Sequence, residues 1–274
     1  MIPIIDFHTH AFADAVAQKA MAYLVDESGY TPSHDGTLRG LCEACRRAGV
    51  AKAVVLSIAT KPKQVPVINN WAIGRGDGSV GANSESLVFF GTLHGGYEEY
   101  EAEIERLRAA GVRGVKMHPN YQEFFPDDEG LRPMFRALAR AGLIALIHGG
   151  HDIAFADAPG SPDRLARLND AVPELVMVAA HFGGWRMWDD VDRYLIGRPN
   201  VYLDTSFTLG DLPDERFVDM ARRHGLDRIV FGTDSPWRDQ GDDVTYLGRL
   251  PFTDAERETI LWKNAERLLR PPGG

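Results

Sequence analysis

The sequence predicts an α/β protein built as a single (β/α)8 TIM barrel. Eight apolar runs of strand length alternate with helix-length segments along the 274 residues, and such an alternation over about 250 residues is typical of this barrel. A junction in which a helix end meets a glycine and then an apolar run recurs four times. No Ser- or Pro-rich linker divides the chain, so we expect one barrel domain over residues 1–274.

The predicted strands are continuous apolar runs, as expected for parallel strands that are covered on both faces. They lie near residues 2–9, 51–58, 87–93, 112–118, 143–148, 175–181, 201–206 and 228–233. A doubly wound open sheet is the rival arrangement. However, no glycine-rich fingerprint follows the first strand, and eight units are many for one open sheet. The barrel is therefore the preferred fold.

The helix-to-strand junctions support this order of elements. They read ACRRAGVAKAVVL at 44–56, RLRAAGVRGVKM at 106–117, ALARAGLIALI at 137–147 and ARRHGLDRIVF at 221–231. Glycine just after a helix adopts positive φ without a Cβ clash, and the preceding cations suit the negative end of the helix dipole. Further helices are predicted over 97–111, over 161–172 with Ser161 as cap, and over 253–270 with Thr253 and Glu256 at capping-box spacing.

Composition limits the compartment and the partners. The net charge of −9 disfavours the general attraction to phosphates on which nucleic-acid binding depends. No stretch approaches the roughly 20 apolar residues of a membrane helix, and no secretion signal is recognisable. The only cysteines, Cys42 and Cys45, fit a reducing cytosol, and we interpret the pair as packing. We expect a cytoplasmic protein with a small-molecule substrate and no nucleic-acid or membrane partner; a homodimer is the commonest assembly for such proteins.

Histidines collect at the ends of the predicted strands, where a TIM barrel carries its catalytic groups. The residues at these ends are His8, His10, His94, His118, His148, His181 and Asp234. Of nine histidines, only His34, His224 and His151, which follows His148 closely, are not themselves at a strand end. Neutral imidazoles with one carboxylate suit a divalent cation such as zinc, with an open position for water. The sequence therefore predicts a metal site on this rim.

The motifs IDFHTH and FGTDSPW, with a histidine at the ends of strands five and six, resemble the amidohydrolase superfamily. The most similar branch is the amidohydrolase 2 family of TIM-barrel metal-dependent hydrolases, which includes the ACMSD-like decarboxylases. The resemblance implies that His8, His10, His148 and Asp234 hold a divalent ion, Zn2+ first and Mn2+ as the alternative. It also implies that His181 is a general acid/base or a further ligand, and that Asp234 takes a proton from the nucleophile.

Two residues on the predicted inward face of the fourth strand, Lys116 and His118, bear on the number of metals. Some amidohydrolases carry a carboxylated lysine here that bridges two ions, whereas the decarboxylase-like branch keeps one. We favour one ion. A third interpretation of Lys116 is a cation that pairs with a substrate carboxylate, and the metal ion, His118 or Lys116 polarises the carbonyl under attack. Lys116 and His118 are therefore substrate-binding candidates. Arg238 is a further substrate-binding candidate, because its guanidinium could grip a carboxylate through a forked pair.

Two aspartates have open roles. Asp6 precedes His8 by two residues and is predicted to share its face. It either orients a metal ligand or is a buried carboxylate bonded to strand eight or to a helix. Asp204 ends the seventh strand, and its direction is left open.

The function expected first is hydrolysis of a small amide, lactone or ester by metal-activated water, with His181 or Asp234 moving a proton to the leaving group. The alternative is non-oxidative decarboxylation of a small carboxylic acid, in which a histidine protonates the carbon that loses CO2. Decarboxylases of this kind tend to be longer, which favours hydrolysis. A non-enzyme alternative is a metal-binding barrel with a ligand-binding or regulatory role, and the acidic balance disfavours a nuclease.

Overall fold

A ring of parallel strands forms the centre of the molecule. The computed structural model describes residues 2–76, 78 and 85–270. In this part of the chain the strands are β1 (Ile5–Thr9), β2 (Lys52–Val55), β3 (Leu87–Phe89), β4 (Gly91–Thr92), β5 (Gly114–Met117), β6 (Ile144–Ile147), β7 (Met177–Ala179), β8 (Val201–Asp204) and β9 (Ile229–Val230). Strands β1 to β3 pair in parallel in chain order, and so do β4 to β9.

Two junctions complete the ring. The strands β3 and β4 are parts of one barrel strand, and the N–H of Phe90 between them donates to Val55 O at 3.1 Å. The first and last strands meet where the N–H of Phe7 donates to Phe231 O and the N–H of Asp234 donates to His8 O, both at 2.8 Å. We call this contact the seam. All eight predicted runs therefore contribute one barrel strand each, which confirms the predicted fold.

Helices surround the barrel between successive strands. They are α1 (Asp14–Ser28), α2 (Leu38–Ala48), α3 (Val65–Ile73), α4 (Tyr100–Ala109), α5 (Arg132–Ala141), α6 (Pro162–Ala171), α7 (Trp188–Tyr194), α8 (Asp214–His224), α9 (Gln240–Arg249), α10 (Asp254–Glu258) and α11 (Asn264–Leu269). The glycines of the four repeated junctions all have positive φ, as predicted. Among the described helices, none has the length and apolar character needed to cross a membrane.

The helix caps agree with the sequence in one case and differ in another. Thr253 and Glu256 form the predicted capping box at the start of α10. The helical region then continues through a π-helical stretch, Thr259–Lys263, into α11. Ser161 precedes α6 as predicted, but its hydroxyl donates to Asp163 Oδ1 at 2.5 Å instead of capping a backbone N–H.

Two apolar layers hold the barrel together. One lies between the strands and the helices. The other fills the barrel interior and includes Phe7, Phe90 and Leu146, together with Ala265 and Leu268 from α11. Each fully buried large apolar side chain contributes about 1.5–3 kcal/mol. Because apolar side chains fill this interior, the polar functional side chains lie at the C-terminal ends of the strands.

The two cysteines lie in α2 and are buried, which agrees with the prediction that they pack. Burial raises the pKa of the Cys45 thiol to about 12, so this thiol is protonated and unreactive at neutral pH. Its sulfur accepts a hydrogen bond from Gln240 Nε2 of α9 at 3.6 Å. The pair therefore belongs to the layer between helices and strands.

His224 is a structural histidine at the end of α8, away from the strand ends that carry the other histidines. Its Nε2 lies 2.9 Å from Val201 O, and its Nδ1 accepts from the N–H of Gly197 at 3.2 Å. These two bonds require a neutral ring with its proton on Nε2. Burial lowers the pKa of His224 to about 4, which is consistent with that neutral form.

Candidate active site

A cavity of about 780 Å³ opens at the C-terminal ends of the strands. The predicted polar set lines it: His8, His10, Lys116, His118, His148, His181 and Asp234. The remaining wall is rich in aromatic and aliphatic side chains, among them Phe12, Tyr30, Trp71, Tyr121, Trp185, Phe207 and Trp237. The structure thus brings the rim residues together, whereas His94 is not part of the lining.

Three of the four predicted metal ligands lie around one point. Asp234 Oδ1 is 2.8 Å from His10 Nε2 and 3.2 Å from His8 Nε2. His10 Nδ1 faces Leu56 O at 2.9 Å and His8 Nδ1 faces Asp204 Oδ2 at 2.8 Å. Both partners accept hydrogen bonds, so they place the imidazole protons on Nδ1 and leave both Nε2 lone pairs directed at Asp234.

The donor set at this point fits a divalent cation. Burial favours a protonated Asp234, but the neighbouring His8 and His10 hold the pKa of this carboxyl well below its usual value. Burial and Lys116 act to lower the pKa of His8, but Asp234 and Asp204 outweigh them and raise it above its usual value. The site therefore favours positive charge beside Asp234, and a divalent cation supplies such charge in place of a proton. Zn2+ and Mn2+ accept such nitrogen and oxygen ligands.

The fourth predicted ligand, His148, is engaged with other partners. Its Nε2 lies 3.1 Å from His151 O, and its Nδ1 lies 3.0 Å from His181 Nε2. Burial lowers the pKa of His181 to about 4 and that of His148 well below its usual value, so both rings are neutral at neutral pH. Metal binding by His148 stays a prediction, and it requires one of these two ring nitrogens to exchange its contact for the ion.

Asp204 and Ser206 lie behind the histidines and are fully buried. Besides its contact with His8, Asp204 accepts the backbone N–H of His181 at 2.9 Å and the hydroxyl of Ser206 at 2.5 Å. The Ser206 oxygen lies 2.9 Å from His181 Nδ1. Sequence reasoning left Asp204 undecided and gave Ser206 no role, although their spacing of two at a strand end repeats that of His8 and His10.

Asp6 is a buried carboxylate that is bonded to the last strand region and to a helix, which is the second of the two roles predicted for it. Its carboxylate accepts from the Thr233 hydroxyl at 2.6 Å and from Gln240 Nε2 at 2.7 Å, and it meets the backbone N–H of His8 rather than the ring. The register between β1 and β2 shifts between Asp6 and Thr9. The prediction that Asp6 shares a face with His8 is therefore wrong, because strand alternation is interrupted here.

Lys116 and His118 occupy the floor of the cavity. Lys116 Nζ lies 3.1 Å from His8 Nε2, and burial lowers the pKa of this lysine to about 8. The ring of His118 stacks on His148 with centroids 4.0 Å apart, and its Nε2 lies 3.3 Å from Asp152 Oδ2. Both predicted substrate-binding residues therefore reach the space beside the metal ligands.

Arg238 is placed elsewhere than predicted. Its Nη2 donates to Asp243 Oδ1 at 2.7 Å and to Leu209 O at 2.9 Å, and its Nε also contacts Asp243. Arg238 is not part of the cavity lining. The forked pair expected for a substrate carboxylate is thus made with the protein's own Asp243, which is buried in α9.

Three residues of the cavity wall have left-handed backbone conformations. The φ angles are 58° at His181, 50° at Phe207 and 66° at Asp234. A residue with a side chain pays roughly 1 kcal/mol or more for this conformation, which is found at functional sites. Asparagine tolerates it best among non-glycine residues, so asparagine is the suitable replacement at these positions.

A histidine and aspartate cluster at the C-terminal rim of a TIM barrel defines a class of metal-dependent enzymes. A family model for amidohydrolases (Amidohydro_2) matches residues 5–270. The protein belongs to this family and is an enzyme of the amidohydrolase superfamily. This confirms the resemblance seen in the sequence. No curated protein matches the sequence.

Solved structures share the fold at low sequence identity. The uncharacterized TIM-barrel protein Bb4693 from Bordetella bronchiseptica has a TM-score of 0.76 and 22% identity, with 97% of this chain and 98% of that chain covered. A 5-carboxyvanillate decarboxylase from Sphingomonas paucimobilis has a TM-score of 0.76 and 17% identity, with 99% and 100% covered. A dihydroxybenzoic acid decarboxylase from a Polaromonas species, solved with manganese and the inhibitor 2-nitroresorcinol, has a TM-score of 0.75 and 15% identity, with 98% and 97% covered.

The similarity to the 5-carboxyvanillate decarboxylase extends over 99% of this chain and all of that enzyme, and it concerns the fold. The expectation that decarboxylases of this kind carry larger loops, which favours hydrolysis, stays a prediction.

Proposed function

We propose that this protein is a metal-dependent decarboxylase that releases CO2 from a small aromatic carboxylic acid. The observation that carries the proposal is the cavity, in which aromatic walls lead to a cation-binding group beside a buried lysine. Flat apolar walls suit an aromatic ring, and Lys116 suits its carboxylate. The likeness of the fold to two decarboxylases of aromatic acids adds support.

The proposed cofactor is one divalent ion held by His8, His10 and Asp234, with His148 as the predicted fourth ligand. Such an ion supplies a Lewis acid that polarises oxygen atoms of the substrate. Zn2+ remains the first candidate from the ligand types, and Mn2+ gains weight because the Polaromonas decarboxylase contains it. We favour a single ion at His8, His10 and Asp234, the group that the resemblance predicts. Two neighbouring groups also have ligand atoms close enough together to hold a cation: His8 with His181 and Asp204, and His118 with His148 and Asp152. The alternative is a second ion bridged by a carboxylated Lys116.

The residues of the chain then have distinct proposed tasks. Lys116 holds the acidic group at the floor, and the apolar walls exclude water from it. The bond between ring carbon and carboxyl carbon breaks, CO2 leaves, and the ring carbon takes up a proton. We assign the proton transfer to His181, whose neutral ring takes up a proton from solvent and delivers it to the ring carbon as CO2 leaves, while Ser206 and Asp204 hold its ring and backbone in place. Asp234 stays a ligand and the second candidate for this transfer.

Release of CO2 in D2O tests the proposal. Metal-loaded protein would be incubated with a panel of hydroxybenzoic acids, lactones and amides. We expect CO2 from at least one acid and deuterium at the vacated ring position, with loss of both after chelation and recovery on adding Zn2+ or Mn2+. Turnover of a lactone or amide without CO2 release from any acid would instead support metal-assisted hydrolysis, for which the same donor set is suited.

A further inference from the structure

We propose that the substrate carries an uncharged apolar arm and that the mouth of the cavity is its binding site. The inference rests on the proposed function for the acidic end of the substrate, whereas the arm site is a separate structural feature. A benzoate-sized acid occupies only the floor of a cavity of about 780 Å³. Cavities of about 300–1,000 Å³ commonly enclose drug-sized ligands.

Exposed apolar side chains are concentrated at the mouth. Among the described residues, the large hydrophobic side chains that are exposed are Val16 (52%), Tyr23 (56%), Val67 (66%), Phe125 (47%) and Ile153 (47%). All of these except Phe125 line the cavity. Single exposed apolar residues are ordinary on a protein surface, but a group of them around a cleft marks a binding surface.

Helix α1 presents one of its faces to the mouth. The apolar lining residues on it are spaced by four, three and one, which places them on a single helical face; they are Val16, Ala20, Tyr23 and Leu24. Ser28, the last residue of α1, also lines the cavity. A different face of α1, with Ala17 and Met21, is buried against the protein. The helix is therefore apolar on two sides, and only one of them is needed for packing.

Helix α3 and the loop after β6 complete this surface with Val67, Ile68, Trp71 and Ile153. We call these four residues, together with Val16, Ala20, Tyr23 and Leu24 of α1, the collar. The collar continues inward through Leu56 and Ile58. A ligand anchored at the floor thus passes these two apolar side chains before it reaches the collar.

Charge distinguishes the two ends of the cavity. Among the residues that line it, Lys116 is the only lysine or arginine, and it lies at the floor. The lining carboxylates are Asp152 and Asp234, and neither belongs to the collar. A charged group at the collar would lose water without gaining a partner. The acidic end of the ligand therefore belongs at the floor, and the arm at the collar is an alkyl or aryl group.

Binding of 4-alkylphenols tests the arm site without any reaction, because these compounds carry no carboxyl group. Calorimetry would compare ethyl, butyl and hexyl chains on the purified protein. We expect the Kd to fall about fourfold per methylene, or roughly 200-fold over four methylenes. Val67→Asp should remove this dependence on chain length. Phe125→Asp is the matched control, since Phe125 is exposed but lies outside the cavity, and it should keep the dependence.

Thermal unfolding followed by circular dichroism would verify that both variants fold. A Kd independent of chain length, or the same loss in Val67→Asp and Phe125→Asp, would overturn the proposal. So would a dimer that Val67→Asp dissociates while the chain-length dependence persists, because the collar would then be an interface between copies. A chain-length dependence in a protein that decarboxylates no acid would support the arm site and reject only the proposed function.

Discussion

Replacement of Asp204 by asparagine is predicted to weaken metal binding while the barrel stays folded. Asp204 Oδ2 accepts the Nδ1 proton of His8 at 2.8 Å, which leaves the His8 Nε2 lone pair for the cation. In the Asp204→Asn variant, the side-chain oxygen would keep accepting the backbone N–H groups of His181 and Ser206. The side-chain NH2 group would then take the place of Oδ2 and point towards His8 Nδ1. Two donors then face each other, so the imidazole proton moves to Nε2 and occupies the metal-binding lone pair.

The size of the effect follows from the loss of one outer partner of a ligand. Such losses weaken metal binding about 10- to 100-fold, which corresponds to about 1.4–2.8 kcal/mol. The Kd for Zn2+ would be measured by competition with a chromogenic chelator at fixed pH. Thermal unfolding of the metal-free protein would report separately on the fold, because the asparagine keeps two of the backbone contacts.

Asp6→Asn is the matched control for this measurement. Both carboxylates are fully buried, but Asp6 bonds to the side chains of Thr233 and Gln240 rather than to an imidazole. We expect Asp6→Asn to lower the free energy of unfolding and to leave the Kd for Zn2+ unchanged. An equal loss of affinity in both variants, or an unchanged affinity in Asp204→Asn, would refute the tautomer argument.

Four further outcomes are expected. His10→Ala should remove bound metal and turnover together, measured by elemental analysis and CO2 release, while the circular dichroism spectrum stays that of the folded barrel. His181→Asn, which suits the left-handed backbone there, should reduce turnover far more than metal content; an equal loss of both would make this residue a ligand. Burial lowers the pKa of His224 from 6.5 to about 4, so the unfolded chain binds its proton first as the pH falls, and about 3 kcal/mol of stability should be lost between these two values. Denaturant unfolding of His224→Gln should show a weaker pH dependence over that range. Cys42→Ser combined with Cys45→Ser should leave metal content and turnover intact, since both thiols lie in the layer outside the barrel.

Much of the fold and of the rim could be predicted because the signals are local. Each strand is an apolar run followed within a residue or two by its functional side chain, as with His118 after β5 and His148 after β6. Parallel strands bring such positions to one end of a barrel whatever the loops between them. The grouping of His8, His10 and Asp234 therefore required only the strand assignments and the resemblance.

The orientations of Asp6, Arg238 and Asp204 depend on tertiary contacts, which the alternation of side chains along a strand does not predict. Asp6 was assigned to the wrong face because the register shift in β1 is set by pairing with β2 and by the seam. Arg238 was assigned to the substrate because its partner, Asp243, lies in a helix whose orientation the sequence does not reveal. Asp204 ends β8 near the same rim as the ligands, but its role is visible only from the position of the His8 ring.

A metal ion bound at the seam between the first and last strands would affect the stability of the folded barrel as well as its chemistry. His8 and His10 stand on one side of it and Asp234 on the other, 224 residues beyond His10 in the chain. An ion bound by all three residues would cross-link the first and last strands of the barrel. Occupancy at a thousandfold excess over Kd adds about 4 kcal/mol to the folded state. Loss of the metal would thus lower the free energy of unfolding of the barrel. A shortage of metal that stops turnover would also make the protein more susceptible to proteolysis.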